Sequence, residues 1–354
     1  MKYIFLMVLI LFAINTRAQV PSNDNHWEII EDWNFKTMSA TAFANDWHSN
    51  PCIKARDHGN GYLEPQFYKP NNVSLSSLGL KIEVKQENVF DKAICYLPDN
   101  HVFSDGNENL RQFYYTSGLV ETKDSIKFGY MEARIKLPYG YDFFPAFWTF
   151  RTPHQPLGSN AAEIDIFEML PSSYISPTYP NNNNIQKTNY HLCYAGCPGY
   201  NVNHVITDYT HYHKYAVEWS PNRIIWYTDD VPIRVVYGHG INNNYVKNLI
   251  NLALTPFVAL DGTQTTYPSN MMVDYVRWYK LNTDCEIVIN DCVFNFAAYN
   301  PTVKKSVTIG GTNCTNVQPS NTNIVIRATD YIYLDGHFEV PLGSELYLDV
   351  DDCY

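Results

Sequence analysis

The sequence predicts an all-β sandwich followed by a small Cys-containing β domain. Three observations predict it. Short runs alternating apolar and polar residues recur along the chain. Each run is bounded by Pro, Gly, Asn or Asp clusters. Almost no segment carries a helical period. Aromatic residues make up 15% of the chain, with 28 Tyr, which suits the half-buried surfaces of pleated strands.

Residues 1–18 read as a secretory signal peptide. Lys2 gives the positive start, Tyr3 to Ile14 is almost wholly apolar, and Thr16-Arg17-Ala18 ends in a small residue. The apolar run is too short to span a bilayer comfortably, and no second run of membrane length follows. The expectation is an exported protein: extracellular, periplasmic or at the cell surface. The formal charge of −11 becomes −13 once Lys2 and Arg17 are removed. Such acidity argues against nucleic acid as a partner and mildly favours a neutral substrate. Eight Cys in an exported chain imply disulfides. Cys52 with Cys95 and Cys193 with Cys197 are candidate pairs, and Cys285, Cys292, Cys314 and Cys353 cluster in the last quarter. Connectivity does not follow from the sequence.

The first alternating run is Leu80-Lys-Ile-Glu-Val-Lys, followed by Tyr130-Met-Glu-Ala-Arg-Ile-Lys-Leu. The next run, Glu163-Ile-Asp-Ile-Phe-Glu168, interleaves three carboxylates with three large apolar residues. In a strand, Glu163 and Asp165 share one face, and Ile164 and Ile166 the other. Regular alternation would send Glu168 to the Ile face. One extra residue, a β-bulge around Phe167, returns it to the face of Glu163. Like charges on one face repel, and no Lys or Arg lies between Arg151 and Lys187 in sequence to offset them. The alternatives are a polar strand edge or a carboxylate pair for glycoside hydrolysis with a third acid tuning it. The Tyr/Pro-rich and Asn-rich stretch that follows, with 181–184 all Asn, reads as a surface loop.

Tyr215-Ala-Val-Glu-Trp and Arg223-Ile-Ile-Trp-Tyr then form a hairpin, and Met272-Val-Asp-Tyr-Val-Arg-Trp-Tyr is the last strand of the large domain. Composition changes after Leu281, which places a catalytic domain at 19–281 and a second domain at 282–354. In that second domain three short strands are expected: 323–328, 330–334 and 344–350.

The order of blocks is specific. Phe128-Gly-Tyr-Met-Glu-Ala-Arg-Ile-Lys-Leu-Pro138 precedes Pro145-Ala-Phe-Trp148 and Glu163-Ile-Asp-Ile-Phe-Glu168. His213-Lys-Tyr-Ala-Val-Glu-Trp-Ser-Pro221 and Val273-Asp-Tyr-Val-Arg-Trp-Tyr279 follow. Over roughly 27–281 this resembles glycoside hydrolase family 16, the β-jelly-roll endo-glycanases that include laminarinases, lichenases, agarases and carrageenases. The resemblance implies retaining hydrolysis through a covalent glycosyl-enzyme, with no cofactor for catalysis. It assigns the nucleophile to Glu163, the general acid/base to Glu168 and an assisting acid to Asp165. Such chemistry wants two carboxyls about 5–5.5 Å apart, one ionised and one protonated. A negative neighbour raises the pKa of a carboxylic acid, so Asp165 suits that division of roles.

Further positions carry two readings each. Trp148 is either a core ring or a cleft ring that stacks on a sugar. Phe144 stands where most relatives have Trp, so a stacking subsite there has a shorter reach. His191 is a substrate-binding candidate or a structural His. Asn72 is a sugar contact or a turn residue. Asp274, an acid in an apolar strand, either helps to hold a structural Ca²⁺, as the resemblance implies, or pairs with an Arg. The tail from Ile326 to Ser344 resembles a bacterial coathanger-stack β-repeat module and reads as a stapled spacer or stability domain, with carbohydrate binding or surface attachment as the alternatives.

The activity expected is an endo-acting, retaining β-glycanase on a β-1,3- or β-1,3-1,4-glucan, working as a monomer. Alternatives are a galactan hydrolase of the agarase, porphyranase or carrageenase type, a transglycosylase, and a carbohydrate-binding protein without catalysis.

Overall fold

A computed structural model of the chain describes residues 20–151, 163–170, 185–191, 201–206, 208–238, 241, 243–257, 259, 260, 262, 265–292, 302–311, 314, 317–335 and 338–354. The expected signal peptide, the Asn run at 181–184, and Cys193 and Cys197 lie outside the described residues. No described helix is long and apolar enough to cross a membrane.

Two large sheets make a β-jelly-roll sandwich. The ten-stranded sheet runs in the order Val231–Tyr237, Arg223–Thr228, Tyr212–Trp219, Gly129–Lys136, Ser269–Leu281, Gly79–Lys92, Leu110–Ser117, Gln66–Tyr68. Trp27–Asn34 pairs with the 269–281 strand and Val73–Ser76 with the 79–92 strand. The seven-stranded sheet runs Val202–Val205, Ile185–His191, Glu163–Leu170, Phe143–Arg151, Val246–Leu254, Leu119–Thr122, Trp47–His48. Alternation decides what each strand buries. Leu80, Ile82, Met131, Val217 and Trp226 of the first sheet interlock with Phe147, Ile164, Ile250 and Leu252 of the second. Filling this slab with side chains removed from water is the main source of cohesion.

Each alternating run of the large domain falls inside an observed strand, except that the run from Tyr130 to Leu137 extends one residue beyond Gly129–Lys136. One element departs from expectation: Ala40–Asp46 is an α-helix, started by Ser39, whose hydroxyl accepts from the Ala42 N–H. Ser followed by Ala-rich sequence is a local helix-start signal, and at seven residues it is too short to show a period.

The C-terminal region also differs from the three short strands expected. It is a four-stranded parallel sheet in the order Thr283–Asp291, Val303–Gly310, Asn323–Asp335, Glu345–Val350. Two of the expected strands are halves of the continuous 323–335 strand. The first half pairs with 345–350 and the second with 303–310. Cys285–Cys353 and Cys292–Cys314 staple this region, and Cys52–Cys95 bridges the N-terminal part of the sandwich.

The small sheet is docked through charge. Arg327 pairs with Asp24 at 2.9 Å and also with Asp349. Arg223 pairs with Asp349 at 2.6 Å and with Glu218 at 2.7 Å. Glu218 accepts a further bond from the Tyr227 hydroxyl at 3.0 Å, and Asp24 holds His26 at 2.7 Å. All of these groups are buried. The terminal Tyr354 completes the contact, its ring 5.5 Å from that of Phe128. Removing one partner from such a cluster strands the others without water. Asp349→Ala is therefore expected to cost about 3–5 kcal/mol, read as a lowered urea midpoint of the whole chain.

Candidate active site

Glu163–Leu170 lies between Phe143–Arg151 and Ile185–His191. Against the first neighbour, Asp165 pairs with Trp148 and Phe167 with Phe147, two steps on one strand for one on the other. Against the second, Asp165 pairs with Asn189 and Glu168 with Lys187, three steps for two. The extra residue is a β-bulge at Ile166–Phe167. Its consequence is visible in the packing. Ile164, Ile166, Phe167 and Met169 all enter the inter-sheet core, while Leu170 joins a separate cluster on the opposite face. Glu163, Asp165 and Glu168 therefore share that outer face.

The bulge has to be held, because it breaks the ladder at buried carbonyls. Trp226, from the opposite sheet, donates its indole N–H to the Asp165 carbonyl at 2.9 Å. Gln186 reaches the Ile166 carbonyl at 3.4 Å and accepts from the Thr228 hydroxyl at 2.8 Å. The Phe167 ring packs 4.3 Å from Tyr215. One sandwich half thus fixes the backbone that presents the acids on the other.

The acids do not stand uncompensated. His191 Nε2 lies 3.2 Å from Asp165 and 3.8 Å from Glu163. Lys187 pairs with Glu168 at 2.8 Å. Arg56 approaches Glu163 to 3.8 Å. Cross-strand register explains the first two: His191 is opposite Glu163, and Lys187 opposite Glu168. The sequence around the acids contains no nearby cation because the cations arrive from the adjacent strand and from the 52–68 segment. Arg56 itself is held by its surroundings. Its guanidinium lies 4.2 Å above the Trp148 ring, and its backbone N–H donates to Glu64 at 3.0 Å.

Asp165 is only 2% exposed. Burial pushes the Glu163 carboxyl upward, and the charge of Asp165 adds to this, while Arg56 and His191 oppose it. For His191, burial favours the neutral ring, but the hydrogen bond to Asp165 and the charges of Asp165, Glu163 and Glu168 prevail. Its pKa rises from an ordinary 6.5 to about 9. The ring is therefore an imidazolium at neutral pH, lying beside Asp165 and Glu163.

Other candidates take different places. Trp148 is on the outer face, 4% exposed, with its indole N–H donating to Asn251 at 2.8 Å. Its upper face is taken by Arg56, so it supports the guanidinium and is not an open sugar platform. Phe144 is likewise covered, its ring 5.9 Å from His58 and 5.5 Å from Phe257. Asn72 is buried, and its amide donates to the Glu83 carbonyl and the Thr116 hydroxyl. That is a structural role in a short 3₁₀ turn, Pro70–Asn72. His191, expected as a sugar contact, is directed at the carboxylates.

Asp274 has one oxygen 2.7 Å from Lys36 and the other on Arg134. Two cations already occupy both carboxylate oxygens, so these residues do not fit Ca²⁺, and the Arg pair is the observed alternative. Glu163, Asp165 and His191 each offer an atom within 4.8 Å of the others. There His191 Nε2 already lies 3.2 Å from Asp165.

Residues 68–277 match the model of glycosyl hydrolases family 16. The chain belongs to this family. It is 29% identical over 178 residues to Endo-1,3-1,4-beta-glycanase EglC of Rhizobium meliloti (strain 1021), covering 49% of this chain and 35% of that protein. It is 27% identical over 251 residues to the kappa-carrageenase of Pseudoalteromonas carrageenovora, covering 61% and 58%. With the Beta-glucanase of Rhodothermus marinus it shares 25% identity over 276 residues, covering 72% and 86%. The chain spans about a third of the length of the Rhizobium relatives it matches. Among solved structures, the laminarinase catalytic domain of Thermotoga maritima superposes with a TM-score of 0.55 at 22% identity, covering 72% of this chain and 98% of that one. The endo-beta-1,3-glucanase of Pyrococcus furiosus gives 0.55 at 24%, covering 73% and 96%. These likenesses are of fold. The family 16 sandwich is the frame on which the acid cluster is built.

Trp226→Phe keeps an aromatic ring but removes the fused pyrrole and its N–H, leaving a void and the Asp165 carbonyl without its donor. It is expected to lower stability by about 1–3 kcal/mol in denaturant titration. For His191 the sign follows from a pKa raised on folding: its stabilisation is full below about pH 6.5 and is lost as pH rises through about 9. The stability gap between the native chain and His191→Gln should therefore be wide at about pH 6.5 and close by about pH 10.

Proposed function

We propose that the chain is a secreted, endo-acting, retaining β-glycanase that hydrolyses internal bonds of a β-1,3- or mixed-linkage β-1,3-1,4-glucan. One observation carries the reading: the bulge that brings Glu163, Asp165 and Glu168 to one face beside Arg56, Lys187 and His191. In this reading, Glu163 attacks the anomeric carbon and forms a glycosyl-enzyme. Glu168 gives a proton to the departing oxygen, then takes one from the incoming water. Asp165, buried beside Glu163, keeps His191 charged. Arg56 and His191 favour the ionised form of Glu163 that attack requires. No cofactor enters the cycle.

Export is part of the proposal. The apolar segment before residue 19 supports it, and three disulfides suit an oxidising compartment.

A specific observation favours a second reading, hydrolysis of a sulfated galactan. Arg56 and Lys187 place two permanent cations against the acids, and one relative is a kappa-carrageenase. A panel of laminarin, mixed-linkage glucan, agarose and carrageenan with product sizing decides between them. Intermediate-length products from glucans support the first reading; products from carrageenan alone replace it with the second. In either case Glu163→Gln and Glu168→Gln should fold normally and lose activity by about 10²–10⁴-fold or more. Near-native turnover in either variant would remove the assignment.

A further inference from the structure

We propose that Arg56 is a substrate-contacting, specificity-determining residue: its guanidinium donates hydrogen bonds to hydroxyl oxygens of the sugar ring that Glu163 attacks, and so selects a neutral sugar there. This assignment rests on the glucanase reading and adds the residue that recognises the substrate.

Three cations surround the acids, and two of them are engaged. Lys187 is 2.8 Å from Glu168, and His191 Nε2 is 3.2 Å from Asp165. Arg56 differs. Its hydrogen bonds are made by its backbone: the N–H donates to Glu64 at 3.0 Å, and the carbonyl accepts from the Glu64 N–H at 2.9 Å. Among the described residues the guanidinium donates none. Its ion-pair contact, with Glu163, is 3.8 Å, too long for a direct bond. A guanidinium carries several N–H donors in a fixed planar fork. Here the fork stands beside a nucleophile with its donors unspent. The side chain is 28% exposed, so a ligand can reach it.

The surroundings hold the fork in place. It lies 4.2 Å over the Trp148 ring and 5.8 Å from the Phe150 ring. The buried Glu64 carboxylate adds its charge. Glu64 in turn accepts from Gln66 at 2.9 Å and stands 3.4 Å from His58. The backbone before Arg56 is tied down as well: the Lys54 N–H donates to the Ala93 carbonyl at 2.7 Å, and Cys52 is bridged to Cys95. A donor fixed in this way loses little freedom when it binds.

Glu163 sets what the fork meets. Attack requires the anomeric carbon within about 3–3.5 Å of the carboxylate. A guanidinium 3.8 Å from the same carboxylate then stands beside the ring under attack. Stacking of that ring on Trp148 is closed, because the indole is 4% exposed beneath Arg56. Recognition therefore falls to the donors. Charge decides which oxygens they take. Glu163, Glu64 and Asp165 already act on the Arg56 charge. A sulfate ester at the fork would be brought against the Glu163 and Asp165 carboxylates. Hydroxyl oxygens accept from the same N–H groups without that repulsion.

Arg56→Lys and Arg56→Met test the contact in the full chain. Lys keeps the charge and loses the fork; Met keeps an unbranched stem and loses both. With laminarin, both variants are expected to lose about 10–100-fold in kcat/KM. The pH profile separates contact from charge. Glu163 must be ionised to attack. Burial raises its pKa, Arg56 lowers it, Asp165 and Glu168 raise it, and His191 lowers it. The acidic limb should therefore move to higher pH in Arg56→Met and stay in place in Arg56→Lys. Native kcat/KM in Arg56→Lys would overturn the proposal, because Arg56 would then act through its charge alone. In chains carrying Glu163→Gln, adding Arg56→Lys should weaken laminarihexaose binding by about tenfold in calorimetry, and equal affinity would overturn the proposal too. So would binding of kappa-carrageenan oligosaccharides that Arg56→Met abolishes, since the occupant would then be a sulfate ester. If Arg56→Met lowers the melting temperature, Arg56→Lys decides. Failure of the glucanase reading shows separately, as laminarin and mixed-linkage glucan left intact by the unaltered chain.

Discussion

The bulge at Ile166–Phe167 is the constraint on which the rest of the site depends. An ideal strand can present only every second residue, and the spacing of the three acids does not obey that rule. The inserted residue restores Glu168 to the outer face at the expense of two ladder positions. The exposed carbonyls would be costly in a dry interior. Trp226 and Gln186 meet that cost from the core side, and Phe167 fills the space against Tyr215. The jelly roll is therefore more than a platform. Its second sheet supplies the hydrogen bond that makes the irregular strand stable.

Once three carboxylates share a face, charge becomes the next constraint. Each is met by a cation: His191 and Lys187 come from the adjacent strand, Arg56 from the disulfide-bridged N-terminal segment. The arrangement is asymmetric. Glu163 faces a guanidinium and an imidazolium, Glu168 an ammonium. Differences of this kind are what allow neighbouring acids to divide into attacking and proton-carrying roles. The aromatic residues nearby, Trp148 and Phe144, serve this arrangement by supporting Arg56 and by packing the face beneath it.

The small parallel sheet obeys the same logic of compensated burial. Arg327 and Arg223 reach into the sandwich, and each finds more than one carboxylate. Tyr354 anchors the end of the chain in the same region. A composition change at residue 282 marks where one sheet ends and another begins. It does not mark a break in cohesion, because charged and aromatic contacts cross it.

The sequence by itself determined the all-β class, most sandwich strands, and the bulge that brings Glu163, Asp165 and Glu168 to one face. These follow from period-two alternation and from spacing, both of which are local. Ser39 could have revealed the short helix, but seven residues are too few to show periodicity. What only the tertiary structure decided is what surrounds the acids. Arg56 is more than a hundred residues from Glu163 in sequence, and Lys187 and His191 reach the acids through register between strands. Asp274, read as a calcium ligand, found Lys36 and Arg134 instead. Asn72, Phe144 and Trp148 were buried by partners that no single segment contains. Alternation tells which way a side chain points; only the pairing of distant strands tells what it meets there.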